Sequence, residues 1–329
     1  MGEKVYITGI NGFLGRTLAG KLLEAGCEVC GLRLLQDDRD LLTEVPYYTG
    51  DVSRLHTLVP FMKAAARDDA VLIHCAGLVS ITSDHPALWR VNVDGTRNVT
   101  DLCERYGIRK FIYVSSVHAI PEKTGGRTIK ETSRFSASYV KGAYGKSKAE
   151  AAAYVKKAAS RGLPATIVHP SGMIGPKDST ASYMTQLIRL YVKHGMPLSV
   201  KGGYDFVDVR DVADGIIRCM RAEAAGESYI LSNEYVTIRE IFDILAELTG
   251  KHAVYGSLPL GMARAAAPFC EKFSHLFGLP ELVTPYSVYT LGSNGNFSHE
   301  KATRELGYHP RPLRETLEDM VQWFSANDF

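Results

Sequence analysis

The stretch TGINGFLG, residues 8–15, constrains this chain more than any other. It follows KVYIT, an apolar run of strand character, and opens GFLGRTLAGKLLEAG, a helical pattern that stops at Gly26. Glycines at the point where a strand turns into a helix have a specific use. Gly9 permits the tight turn, Gly12 lets a pyrophosphate approach the backbone, and Gly15 lets the helix pack closely on the sheet. The helix N-terminus then offers free N–H groups and a positive dipole end to phosphate. A strand before and a helix after turn a common glycine pattern into an expectation of dinucleotide binding.

The rest of the N-terminal half repeats the alternation. EVCGLRL reads as a strand, and after a short piece around Tyr47-Tyr48 comes a helix near 53–66. AVLIHCA, KFIYVSS and ATIVHP read as strands, separated by helices over 92–106 and 144–161. This order predicts the α/β class, a doubly wound parallel sheet with helices on both faces. A chain of 329 residues can hold one large domain or two intimate ones. Residues 1–170 are expected to form the dinucleotide-binding domain and 171–329 a smaller, mainly helical substrate domain. Within the latter, 203–222 should return to the first, because Asp211 opens an amphipathic helix in DFVDVRDVADGIIRCM. The cleft between the two is the expected active site.

The second strand ends GLRLL, without the carboxylate that usually accepts a ribose 2′-OH. Arg33 stands there instead, and a guanidinium pairs with a 2′-phosphate that an acid would repel. Arg16 could add a second positive charge, so NADP is the expected cofactor. Asp37 and Asp38 follow closely and keep NAD as the alternative.

A second constellation lies in AYGKSKAEA, where Tyr144 and Lys148 are four apart on a helix and share a face. A phenol has a reference pKa of about 10, and an ammonium beside it should lower that value. Ser115 and Ser116, in YVSSVHAI, end the preceding strand, and ligands of such sheets bind beyond the carboxyl ends of strands. A hydroxyl, a phenol and an ammonium beside a dinucleotide suit reversible hydride transfer to a carbonyl. Ser116 would hydrogen-bond the carbonyl oxygen and Tyr144 would deliver the proton. His118 reads more readily as a satisfied loop histidine than as a pocket residue, and His169 as packing.

Other classes are disfavoured. The six cysteines are scattered, and Cys27 and Cys30 lie on a strand with opposite directions, so buried free thiols are expected and no metal. A net charge of +2 argues for neither nucleic acid nor a membrane surface as partner. No apolar run approaches the roughly 20 residues of a membrane span. The N-terminus enters a strand without a basic and apolar leader, so a cytoplasmic location is expected.

These motifs stand in a recognisable order: TGxxGFLG, HCAG at 74–77, NVDGT at 92–96, the serine pair, YxxxK, and HPSGMIGP at 169–176. With them the chain resembles, over essentially its whole length, an extended short-chain dehydrogenase/reductase with a Rossmann fold. The tail NFSHEKATRELGYHPRPLRETLEDMVQWF belongs to the same resemblance. It implies Ser116, Tyr144 and Lys148 as the catalytic group, Lys148 also holding the nicotinamide ribose. It implies cofactor contacts from Gly9, Asn11, Gly12, Phe13 and Leu14 in the turn, and from Asp51-Val52 at the adenine. Cys75-Ala76-Gly77 after the fourth strand and the loop from Pro170 to Met173 at the nicotinamide complete the set, with Asn92 supporting the site. Relatives of this kind often dimerise through the helices carrying NVDGT and YxxxK, so a homodimer is an expectation.

Within that family the chain departs from the nucleotide-sugar pattern. Val117-His118 stand where the 4,6-dehydratases have Asp-Glu, and Tyr204 stands where an arginine is usual. The chain looks closer to the dihydroflavonol-reductase-like and 3β-hydroxysteroid-dehydrogenase-like branch. That implies a ketone or secondary alcohol of a relatively apolar small molecule as substrate. A nucleotide-sugar epimerase is the enzymatic alternative, and a non-catalytic cofactor sensor the third reading. The apolar and aromatic residues of 258–283 would either cover an apolar ligand or pack the small domain.

Overall fold

Strand residues here divide between two cores. Val5, Ile7, Val29, Ile112 and Val114 join one apolar cluster, while Tyr6, Cys30, Leu32, Phe111 and Tyr113 join another. Successive side chains of a strand point to opposite faces, so runs apolar at every position must be covered on both sides. A computed structural model of the chain, describing residues 2–37, 42–80, 86–277 and 282–327, shows that arrangement.

In chain order, β1 (Lys4–Thr8) leads to α1 (Phe13–Glu24), β2 (Glu28–Arg33), β3 (Tyr47–Thr49), α2 (Leu55–Arg67) and β4 (Val71–His74). Then α3 (Pro86–Trp89) runs through a π turn, Arg90–Gly95, into α4 (Thr96–Tyr106). β5 (Lys110–Val114), α5 (Ala143–Ser160), β6 (Ala165–Pro170) and β7 (Gly172–Ile174) follow. Next come α6 (Tyr183–His194), β8 (Leu198–Val200), β9 (Gly203–Asp208), α7 (Val209–Arg221), β10 (Ser228–Leu231) and β11 (Glu234–Thr237). The chain closes with α8 (Ile238–Thr249), β12 (Gly256–Leu258), α9 (Leu260–Phe277), α10 (Pro285–Leu291), α11 (Glu300–Leu306) and α12 (Leu313–Ala326).

Seven strands form one sheet in the order β10-β6-β5-β4-β1-β2-β3, and every pairing is parallel. The direction of winding reverses between β1 and β4, which pair Thr8 with His74. This is a doubly wound sheet of the Rossmann type, and its switch point opens a crevice at the carboxyl ends of those two strands. The C-terminal part is mainly helical, with a small sheet β11-β9-β7 and a two-stranded ladder β12-β8. Its own core gathers Tyr204, Phe206, Phe242 and Leu317 with Val117 and Ile120 from the loop after β5.

After β9, Val209, Val212, Ala213 and Ile216 of α7 join the first core. The residue that opens α7 is Asp208, however, not Asp211. The Asp208 carboxylate accepts from the Arg210 N–H at 2.7 Å, as an N-cap does. Asp211 sits in the first turn and is gripped by Arg311, whose Nη2 donates at 2.9 Å. β10, an edge strand no sequence pattern had flagged, also comes from beyond residue 171. Cys27 and Cys30 are buried free thiols.

Candidate active site

The glycine turn is a place where backbone meets backbone. Gly9 has φ +70°, and a Cβ on it would stand 2.6 Å from the main chain of Ala76. Gly12 is the N-cap of α1 and offers no side-chain acceptor to the first-turn N–H groups; a Cβ there would meet only the Gly9 carbonyl, at 3.2 Å. A Cβ on Gly15 would collide with the Gly9 carbonyl, so Gly15 seats the helix against the turn itself rather than against the sheet. Phe13 and Leu14 bury their side chains in the first core and leave their main chain at the helix N-terminus. This cradle fits a dinucleotide diphosphate, which the turn from Gly9 to Leu14 would hold through N–H groups.

At the end of β2, Arg33 donates from Nη1 to the Asp37 carbonyl at 3.0 Å, and its buried Nε has no hydrogen-bond partner among the described residues. The Asp37 carboxylate accepts from Asn11 Nδ2 at 3.0 Å. An acid and a guanidinium therefore meet beside the turn; Asp38 lies outside the described residues. Asp51 uses its carboxylate to accept from Ser53 N and Oγ, at 2.9 and 2.8 Å, where the chain enters α2. The carbonyl of buried Val52 accepts from Asn98 Nδ2 at 2.9 Å. After β4, Cys75 N donates to the Thr8 carbonyl at 3.1 Å and Ala76 N to the Thr8 hydroxyl at 3.3 Å. A Cβ on Gly77 would stand 3.2 Å from Lys148 Nζ and 3.3 Å from Asn92 Oδ1.

Asn92 sits in the π turn between α3 and α4. Its Oδ1 accepts from Leu78 N at 2.8 Å, and its Nδ2 donates to the Leu78 carbonyl at 2.9 Å and to Ser147 Oγ at 3.0 Å. Ser147 Oγ in turn donates to the Tyr144 carbonyl at 2.8 Å. One amide thus ties the loop after β4 to the first turn of α5. Below it, buried His74 bridges the Thr8 hydroxyl at 2.6 Å and the Thr96 hydroxyl at 3.2 Å, a link that no motif spacing announces.

Ser116 follows β5 in extended backbone and accepts from His118 N at 3.2 Å, closing the short turn Val117–Ala119. Tyr144 and Lys148 lie on the buried face of α5, and Ser116 is near enough to the phenol to favour its ionised form. Burial pushes the Tyr144 phenol up to about 12, against the pull of Ser116. The lowering expected from Lys148 is not there. Lys148 Nζ donates to the Val114 carbonyl at 2.9 Å and lies 5.3 Å from the Tyr113 ring centre. Burial brings the ammonium itself down to about 8, with the Cys75 thiol opposing. Desolvation disfavours the charged form of both partners, and no attraction between the two offsets it.

The side of Tyr144 away from the turn is aromatic. The His118 ring stacks on Tyr204 at 5.4 Å and meets Tyr144 edge-on at 5.7 Å. Its Nε2 faces the Tyr204 hydroxyl at 3.4 Å and its Nδ1 the Tyr286 hydroxyl at 3.3 Å. Burial brings the imidazole down to about 4, so it is neutral at physiological pH. His118 is therefore a satisfied histidine of the loop after β5, its partners coming from β9 and α10, and its ring forms a wall with theirs. Tyr286, on α10, belongs to the same wall and carried no sequence signal. Pro170 ends β6, and Met173 packs on the first core from β7. His169 lies under Ser116, with Nδ1 3.2 Å from its carbonyl oxygen and its ring stacked on Phe135.

Residues 5–232 match the model of the NAD dependent epimerase/dehydratase family. The putative dihydroflavonol 4-reductase of Synechocystis sp. is 31% identical, over 100% of this chain and 96% of the relative. Sterol demethylase protein B of Methylococcus capsulatus is 30% identical, over 97% of each chain. Among solved structures, that of gox2253 superposes with a TM-score of 0.84 at 31% identity, over 98% of both chains.

Proposed function

The chain belongs to the NAD dependent epimerase/dehydratase family, as an NAD(P)-dependent enzyme of the extended short-chain dehydrogenase/reductase type, and from that premise we propose that it interconverts a ketone and a secondary alcohol on a relatively apolar small molecule, with NADP(H) as cofactor. The observation that carries this reading is the wall beside Tyr144, three rings from His118, Tyr204 and Tyr286. A sugar diphosphate taken from water to such a wall would lose hydration that neutral rings cannot replace, whereas a flat apolar ring system would bury its faces there. The reductase and sterol names of the two relatives point the same way.

A bound nicotinamide dinucleotide supplies or takes up the hydride. Ser116 would hold the substrate carbonyl oxygen at Tyr144. The buried phenol stays protonated at neutral pH, so it stands ready to give its proton to the oxygen that becomes the alcohol. Lys148, one turn along the same face, would compensate the phenolate left behind and hold the ribose. The Arg33 guanidinium, whose Nη1 holds the Asp37 carbonyl, would pair with a 2′-phosphate, with the Asp37 carboxylate opposing it. The substrate would enter between the sheet, with 203–222, and the remainder of 171–329.

The test is turnover with NADPH and NADH across steroids, flavonoid-like ketones, aryl ketones, and UDP- and dTDP-sugars. NADPH oxidation with a ketone is expected, and UDP binding no tighter than millimolar, about −4 kcal/mol. Micromolar UDP binding without net redox would make the protein an epimerase. Tight NADPH binding with no turnover of any substrate would make it a sensor.

A further inference from the structure

Helix α9 is built inside out. The residues it turns inward are small: Ala263 and Ala267, which pack with Val288. Its large apolar residues face water: Met262 is 60% exposed, Phe269 76%, Phe273 57%, Leu276 78% and Phe277 60%. Their spacing puts them on one face of a helix. A core helix is arranged the other way round, and monomers rarely leave so contiguous an apolar face in water. The helix is also not long and apolar enough to cross a bilayer, like every other described helix.

Two stretches of chain that meet where α9 begins are rich in cations, and α8, which packs on α6 and β8, adds Glu240, Asp243 and Glu247 against Arg239. Residues 183–202 hold Arg189, Lys193 and Lys201 and no acid; residues 250–277 hold Lys251, Arg264 and Lys272 and one acid, Glu271. The two stretches carry an excess of five positive charges, three from the first and three less one from the second, and the excess is three when the one cation and three acids of α8 are counted, against +2 for the whole chain. The two stretches form one corner of the fold. β8 pairs with β12, and Lys251 Nζ reaches the Lys193 carbonyl at 3.3 Å. Lys201 N donates to the Leu258 carbonyl at 2.8 Å, two residues before α9 begins.

We propose that α9 and its basic surround dock on a membrane surface containing anionic lipid, with the helix lying in the interface and Phe269, Phe273 and Phe277 among the acyl chains. An amphipathic helix with aromatic and aliphatic residues on one face and cations beside it has the composition such docking requires. A second copy of the chain fits less well, because a two-fold contact through this face would bring the basic surround of each copy toward the same surround on the other. The whole-chain net charge hides this site, since it is a sum and the asymmetry is local. The docking goes beyond the reductase reading and does not depend on it. The face nevertheless lies one helix from the aromatic wall, because α10, which packs on α9, carries Tyr286 to His118.

The full chain should be sedimented with vesicles of phosphatidylcholine alone and of phosphatidylcholine mixed with phosphatidylglycerol, at low and high salt. Binding to the mixed vesicles that weakens with salt is expected. The triple variant Phe269→Ser, Phe273→Ser, Phe277→Ser should lose about tenfold or more in vesicle affinity with little change in its thermal unfolding, since these rings are exposed. Lys272→Glu, which leaves the apolar face intact, should lose about tenfold on mixed vesicles and almost nothing on neutral ones. Failure of the wild type to sediment with either vesicle would overturn the proposal. So would unchanged binding by Lys272→Glu, or a wild-type dimer that the triple variant splits while vesicles bind neither. These outcomes are read without substrate or cofactor, so they stand apart from any failure of the reductase assignment.

Discussion

The two halves of the candidate site are made of different material. On the dinucleotide side, main chain touches main chain: the added Cβ at Gly9 falls 2.6 Å from Ala76, and neither partner has a side chain that could move aside. On the substrate side, rings touch rings, with His118 at 5.4 Å from Tyr204 and 6.0 Å from Tyr286 and hydroxyl tips facing its nitrogens. Packed backbone yields little, whereas a ring can lose a hydroxyl and keep its place. Changes to the first half should therefore abolish function, and changes to the second should retune it.

The sharpest test of that contrast is Gly9→Ala. It forces both a main-chain collision and a non-glycine residue into positive φ, a backbone strain of order 1–3 kcal/mol before the collision is counted. Dinucleotide binding measured by calorimetry should vanish and the thermal unfolding temperature should fall; normal binding would break the comparison. Tyr144→Phe stands between the halves. It should lower turnover by about 10²–10⁴-fold while leaving cofactor Kd unchanged, because only the proton is removed. Near-normal turnover would remove Tyr144 from the proposed chemistry.

The same pair predicts a pH profile. Lys148 titrates at about 8, below the ordinary lysine value, so its ammonium is present below that pH and is lost above it. The phenol, at about 12, stays protonated through the same window. Steady-state reductase turnover should be level below about pH 8 and then fall toward tenfold per unit. A profile that stays level well above that pH would place the ammonium outside the reaction.

Arg33→Asp acts only on the first half. Loss of a charged hydrogen bond of roughly 1.5–3 kcal/mol should weaken NADPH about tenfold to a hundredfold, with substrate KM unmoved. Tighter NADH than NADPH on the wild type would hand the ribose to Asp37 instead. The smallest effect is expected from Tyr286→Phe. It removes one hydroxyl facing His118 and keeps the ring that lies against Gly142. A change in KM of about two- to tenfold, with kcat nearly constant, would match a neutral hydrogen bond of about 0.5–1.5 kcal/mol. A collapse of kcat would show that the wall is as unforgiving as the turn.

These differences also explain what could be read from the amino acids alone. The turn, the strand alternation and the Tyr144–Lys148 spacing are local patterns, each confined within a few residues, and a short window carries them. Tyr286 meets His118 across 168 residues of chain, and nothing within a window around either residue announces the other. His118 looked inert because its partners come from α10 and β9. The phenol of Tyr144 was expected to be acidified by proximity to Lys148. Proximity was legible, but burial was not, and burial decides the sign. Asp208 and Asp211 are three apart before the same helix, and both patterns suit a cap. The folded chain tells them apart: Asp208 accepts from the Arg210 N–H as the cap, while Asp211, inside the first turn, is held by Arg311, a hundred residues on.

The π turn that carries Asn92 has one more consequence, for length rather than composition. Such a turn holds one residue more than a regular helical turn would. Upstream, it aims Asn92 at the Leu78 peptide; downstream, it aims Val99, Leu102 and Cys103 into the second core. Removing a single residue would rotate everything beyond it by about 100°, so one set of contacts could be kept only by abandoning the other. In a library of random variants, substitutions at exposed positions such as Arg90 and Asp94 should survive here, while single-residue insertions and deletions between Arg90 and Gly95 should disappear.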